Sequence, residues 1–325
     1  MAFRILLVVF LGLWLSASGS FAAADKPLSV GVLKFGTVNW QLDTVKAHRL
    51  DEAAGVSLTV LPLASKNATS VALQAGEVDL IVSDWVWVMR QRAAGADFAF
   101  VPYSHALGAL VTAAESGIER VEDLAGKRIG VAGGPVDKSW LLLRAWSEQE
   151  LGFDIGERAE PVFGAPPLLN AQLRQGDLDA VLTFWPYAAR LEAQGYRRLA
   201  AVSKLLADLG VEEPLPLVGY VFRERLARER RDEYRAFFDA IAAANQILST
   251  SEQEWERLRP IMRAGSDAEF ERLKTGFRAG LPEGLSMNLT GAEALYRLLA
   301  KHGGDKLLGR GTRFDPNAFW TFGAR

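Results

Sequence analysis

The stretches 76-GEVDLIVSDW-85 and 176-GDLDAVLTFW-185 are near repeats of one another within a single chain. Each runs from a glycine turn through two acidic residues and an apolar run to a hydroxyl, Ser83 or Thr183, and ends on a tryptophan. A second pair accompanies them, 31-GVLKFGTVNW-40 and 130-GVAGGPVDKSW-140. A short apolar run bounded by a glycine turn predicts a buried strand, and helix-length amphipathic stretches between such runs predict βαβ units with a mostly parallel sheet. Working outward from the repeats, strands are predicted at 28–33, 57–63, 79–83 and 98–103. A run at 108–114 leaves this first unit. The pattern restarts with strands at 128–133, 160–163, 179–184 and 198–202, and a last run at 217–223 crosses back.

The order is therefore one α/β unit, a second α/β unit and a return to the first. After about residue 228 the sequence turns helical, with Ser or Thr followed three residues later by Glu at Ser251/Glu254, Ser266/Glu269 and Thr290/Glu293. Each pair reads as a helix start. The arginine-rich 223-RERLARERRDEYR-235 carries interleaved acids at helical spacing and reads as a solvated helix face.

The chain has 325 residues, 49% of them hydrophobic, which is material for two domains. Its formal charge of −2 leaves no basic footprint for nucleic acid. Arg4, the apolar run 5-ILLVVFLGLWL-15 and the small residues up to 22-AAA-24 read as a secretory signal peptide, residues 1–24, cleaved near Ala24. Cysteine is absent, so no disulfide staples the exported chain and no lipid-bearing cysteine follows the signal. A large buried core must hold the fold, and the expected location is the periplasm.

In an open α/β sheet, ligands bind beyond the carboxyl ends of the strands. The four tryptophans Trp40, Trp85, Trp140 and Trp185 all follow such ends, so two facing units would bring them to one cleft. Ser83 and Thr183 offer hydroxyls that donate and accept. In 132-AGGPVDKSW-140, Gly133 and Gly134 let backbone approach a ligand, Asp137 or Ser139 can cap the next helix, and Lys138 adds a charge. Asp84 points away, pairs with Lys34 or Lys138, or meets an ammonium group. Asn39 and Tyr187 complete the candidate set.

Asp43, Asp84 and Asp137 are the residues for a metal ion, if one binds, as oxygen ligands of the kind hard cations take. Their spacing matches no metal motif, and no cofactor is predicted. No G-x-S-x-G elbow, Walker loop or H-E-x-x-H is present, so no catalytic residue is assigned.

Together, 30-VGVLK-34, 73-LQAGEVDLIVS-83, 121-VEDLAGKRIGVAGG-134 and 173-LRQGDLDAVLTFWPY-187 make the chain resemble the periplasmic substrate-binding proteins of ABC transporters. Within these it is similar to the nitrate/sulfonate/taurine and thiamine-precursor group. The resemblance covers nearly the whole mature chain and is most specific at 122-EDLAGKRIGV-131. It implies an α/β, type II periplasmic-binding-protein fold: two lobes joined by two crossover strands, with a helical C-terminal third. Lobe 1 is expected at 25–110 with 219–325, and lobe 2 at 111–218.

The function implied is capture of a small solute between the lobes and delivery to an inner-membrane permease with its ATPase, by a monomer. The ligand is expected to be polar and organic: sulfonate- or taurine-like, zwitterionic or heteroaromatic. No arginine stands at the four strand ends, which departs from a simple anion clamp, and the cysteine-rich motif of pyrimidine-precursor binders is missing. Metal uptake and a sensor or accessory role remain alternatives, and some enzymes share the fold.

Overall fold

The computed structural model describes residues 27–212 and 214–322; the predicted signal peptide lies outside them. Ten strands form two five-stranded sheets. The first contains β1 (Leu28–Leu33), β2 (Leu58–Leu63), β3 (Leu80–Asp84), β4 (Phe98–Ser104) and β10 (Val218–Arg223), in the order β2-β1-β3-β10-β4. The second contains β5 (Ala109–Thr112), β6 (Arg128–Ala132), β7 (Glu160–Gly164), β8 (Ala180–Thr183) and β9 (Arg197–Ala201), in the order β7-β6-β8-β5-β9.

The two sheets have the same plan. A parallel core of three strands is flanked by an antiparallel strand, β10 beside β3 and β5 beside β8. Each antiparallel strand lies in the sheet opposite to the segment that precedes it, so the chain crosses between lobes at 104–109 and again at 201–218. These are the two crossovers that the resemblance implies.

The helices, in chain order, are α1 (Val38–Ala47), α2 (Leu50–Ala54), α3 (Lys66–Ala75), α4 (Trp85–Ala93), α5 (Lys138–Leu151), α6 (Ile155–Arg158) and α7 (Pro166–Gln175). Then come α8 (Trp185–Ala193), α9 (Val202–Asp208), α10 (Glu224–Glu229), α11 (Arg231–Thr250), α12 (Glu252–Met262), α13 (Asp267–Ala279) and α14 (Leu289–Leu308). Ser251 and Ser266 accept the N–H of Glu254 and Glu269, as their sequence spacing predicts. The third start falls earlier than predicted: Asn288 caps α14 through the Gly291 N–H, leaving Thr290 inside the helix. Each cap contributes about 1 kcal/mol. The arginine-rich segment forms α10 and the start of α11, and its pairs Arg225–Glu229 and Arg230–Glu233 lie along the helices' own surfaces.

Strands read as apolar runs where both faces are covered; even β4, at the edge of its sheet, is buried at all seven positions. One face of the first sheet carries Val30, Val32 and Leu80 against Phe237, Phe238 and Trp255 of α11 and α12. The other face, with Ile81 and Trp85, continues without a break into lobe 2 through Leu141, Leu142 and Leu295. Each fully buried large side chain in these layers stabilises the fold by about 2 kcal/mol. Helix α14 packs on α4 of lobe 1 and α5 of lobe 2 together. Among the described residues no helix is long and apolar enough to cross a membrane.

Candidate functional site

The carboxyl ends of β2, β3 and β6 each run into the N-terminus of a helix, and these helix starts meet at the lobe boundary. Ser65 caps α3 through the Ala68 N–H, Asp84 caps α4 through the Trp87 N–H, and Asp137 caps α5 through the Ser139 N–H. The first residues of α3 and α5 are lysines. Lys66 Nζ lies 2.6 Å from Asp84 Oδ2, and Lys138 Nζ lies 3.0 Å from the same oxygen. Lys66 and Asp84 belong to lobe 1 and Lys138 to lobe 2, so the contact spans the boundary.

Burial pushes the Asp84 carboxyl up, but Lys138 and Lys66 outweigh it and hold the group far below the usual carboxylate range. Asp84 raises the Lys66 ammonium in return. Asp137 behaves oppositely: burial raises its carboxyl despite the nearby Lys138 and its backbone hydrogen bonds. Of the two partners predicted for Asp84, Lys138 is found. Lys34 instead lies over the Phe35 ring. Lys66 was missed, although 65-SKN-67 follows the β2 end as a further strand-end turn and carries the signal.

Ser83 and Thr183 occupy matching places, each at the end of a central strand beside the antiparallel crossover strand: Ser83 opposite Gly219, and Thr183 opposite Ala109. Both are 2% exposed, and neither hydroxyl has a hydrogen-bond partner among the described residues. A buried hydroxyl without a partner costs about 1–3 kcal/mol, so two of them at equivalent strand ends call for a function.

The tryptophans divide, contrary to the expectation that all four line one cleft. Trp85 is 0% exposed; its indole N–H donates to the Pro216 carbonyl at 3.1 Å and its ring packs edge-on against Phe314 and Phe319. Trp140 is buried against Phe163. These two are core residues in this arrangement: Trp85 is covered by the chain that follows α14, and Trp140 packs against β7.

Trp40 and Trp185 do meet across the boundary, with ring centroids 6.2 Å apart in an edge-to-face pair. Trp40 is itself buried against Trp255 and Phe277. Trp185 lies over Gly276 of α13 so closely that a Cβ there would sit 2.9 Å from the ring. Among the described residues, the rings left open at strand ends are Phe35, 62% exposed, Phe184, 41% exposed, and Phe163, 38% exposed.

Other candidates are occupied locally. Asn39 spends its amide on the carbonyls of Leu33 and Gly36, closing the β1–α1 turn. Gly133 has φ of 101°, which favours glycine, and its N–H donates to the Gly164 carbonyl. Gly134 accepts from the Asp137 N–H, and the Tyr187 carbonyl accepts from Asn170. Asp43 is ion-paired with Arg257 at 2.6 Å, so Asp43, Asp84 and Asp137 do not assemble as an oxygen-ligand set. No three metal-ligating side chains come together among the described residues.

Lobe closure has a second seam. Along α8 and α13, Arg190 pairs with Glu269 and donates to the carbonyls of Met262 and Arg263, and Arg272 lies 3.2 Å from Glu192. Two concavities elsewhere, of about 490 Å³ beside Arg92 and Asp315 and about 300 Å³ behind the crossovers at His105 and Pro216, contain none of these strand-end residues.

Residues 52–254 match the family model described as NMT1/THI5 like. No curated protein matches the chain significantly. Among solved structures, the periplasmic aliphatic sulphonate binding protein SsuA from Escherichia coli is similar at 20% identity and a TM-score of 0.70, over 92% of this chain and 95% of that one. The alkanesulfonate-binding protein SsuA from Xanthomonas axonopodis pv. citri, bound to MOPS, is 22% identical with a TM-score of 0.64, over 87% and 94%. A ligand-binding component of an ABC-type import system from Staphylococcus aureus with zinc bound is 15% identical with a TM-score of 0.66, over 89% and 99%. At these identities the likeness establishes the periplasmic-binding-protein fold.

Proposed function

The chain belongs to the NMT1/THI5-like family, and on that premise we propose that it is a periplasmic solute-binding protein of an ABC importer. Its lobes, residues 25–110 with 219–325 and residues 111–218, close over a small solute. The loaded monomer then docks on an inner-membrane permease whose ATPase drives uptake. The protein captures and releases; it catalyses no reaction.

The observation that carries this reading is the pair of partnerless buried hydroxyls, Ser83 and Thr183, one at the same strand end of each lobe. Lys66 and Lys138 add positive charge at helix N-termini, where anions are favoured. Phe35, Phe184 and Trp185 offer apolar surface for an organic tail. The chemistry suits an organic sulfonate or aminosulfonate, whose acceptor oxygens take the hydroxyls and ammonium groups. Solved relatives of the same fold named for aliphatic sulphonates, or bound to MOPS, support the choice.

Tryptophan fluorescence titrated with ethanesulfonate, taurine and MOPS tests it. Binding is expected in the wild type, and the Ser83→Ala/Thr183→Val double variant is expected to lose more than tenfold in affinity, about 1.4 kcal/mol. Silence towards all three solutes, or unchanged affinity in the double variant, would overturn the ligand reading. Permease and ATPase genes beside this one would support import; a lone sensor kinase gene would favour a sensory role.

A further inference from the structure

The ion triad at the lobe boundary has an uneven charge count. Two ammonium groups, Lys66 from one lobe and Lys138 from the other, share one carboxylate oxygen, Asp84 Oδ2. The second oxygen, Oδ1, is engaged by the Trp87 N–H at 2.8 Å. Asp84 is 4% exposed and Lys138 is largely buried, so bulk water screens the pair weakly. Take the Asp84 charge away and two like charges face each other across the boundary, with no other carboxylate in contact with either lysine among the described residues; Asp137, whose carboxyl burial raises, is engaged by the Ser139 N–H at the start of α5.

Resting on the solute-binding reading, we propose that Asp84 is the resident counter-charge of the cleft. It draws the two lobes together through Lys138 before any solute arrives, and the surplus positive charge of the two lysines selects a solute that presents an anionic group to them. The cap and the counter-charge are separable functions of one side chain. An asparagine keeps an Oδ1 acceptor for the Trp87 N–H but carries no charge, so Asp84→Asn removes the ionic role alone.

Small-angle scattering of the solute-free protein tests the first half. Wild type and Asp84→Glu, which keeps the charge, are expected to stay compact. Asp84→Asn is expected to expand, and sodium sulfate, but not sodium chloride at equal ionic strength, to compact it again. Asp84→Asn/Lys138→Met, with one repelling charge also gone, is expected to return towards the wild-type radius of gyration without sulfate.

An Asp84→Asn variant as compact as wild type would overturn the proposal. So would a double variant as expanded as the single one, since a purely structural role of Asp84 is not relieved by a change at Lys138. The charge preference is read separately, by titrating the wild type with ethanesulfonate and with ethylammonium chloride. Tighter binding of the cation would overturn it. The scattering needs no solute, so it remains decisive even if the sulfonate titrations fail.

Discussion

The ends of β3 and β8 are written almost alike, yet the folded protein uses them differently. At β3, Asp84 caps its helix and Trp85 turns inward, fixed by the Pro216 carbonyl and enclosed by Phe314 and Phe319. At β8, Phe184 gives α8 no side-chain cap and stays open to solvent, and Trp185 lies across the boundary on Gly276. What differs is the cover. The chain after α14 returns over the β3 end, while the β8 end meets the opposing helices α1 and α13 through Trp185. A repeated local motif therefore marks a strand end, and its tertiary neighbours decide whether the tryptophan becomes core or contact surface.

The largest effect should come from breaking the buried member. Trp85→Ala is expected to destabilise the protein by about 3–5 kcal/mol in denaturant unfolding, with Trp185→Ala costing clearly less. Equal losses would erase the distinction between the two ends. Next comes a wedge in the contact surface. Gly276→Leu forces atoms into the Trp185 ring and is expected to cost about 1–3 kcal/mol and to enlarge the radius of gyration, because lobe separation is the easiest relief.

A pH experiment sharpens the contrast between a residue that crosses the boundary and one that does not. Burial pushes the Glu254 carboxyl up, but hydrogen bonds from Arg257, His48 and Thr44 outweigh it and bring it from 4.5 down to about 2. A carboxyl depressed on folding stabilises above its unfolded value, and that contribution disappears as pH falls from about 4.5 through about 2. Glu254→Gln should flatten the acid limb of a stability profile in this window and leave lobe closure untouched. Glu269→Gln, which removes the Arg190 contact to α8, should instead alter scattering at neutral pH. The smallest effect is expected at the hydroxyls: Ser83→Ala and Thr183→Val should each stabilise the solute-free protein by about 1 kcal/mol, since each removes a buried hydroxyl without a partner.

The strands and the two crossovers were legible because buried parallel strands are nearly all apolar and glycine turns punctuate them. The directions of the four indoles were not. A strand end fixes where a residue sits along the chain, while the cover over Trp85 comes from Phe314 and Phe319, more than two hundred residues away in sequence. The helix starts show the same limit. Ser251 and Ser266 cap as their spacing predicts, but Glu254 and Glu269 are drawn into contacts with α1 and α8 that no local pattern encodes. Lys66 was readable from its strand-end turn, and only its reach to Asp84 needed the fold.

Helix α14 rests on both lobes, with Gly303 close against Leu141 and a break in helical geometry at Gly304, where φ is 51°. Any swing of one half away from the other must either pivot along this helix or strip apolar surface from one of its sides. The molecule should therefore open like a book bound along its spine, through a restricted arc about one axis, instead of swinging freely on two strands of chain.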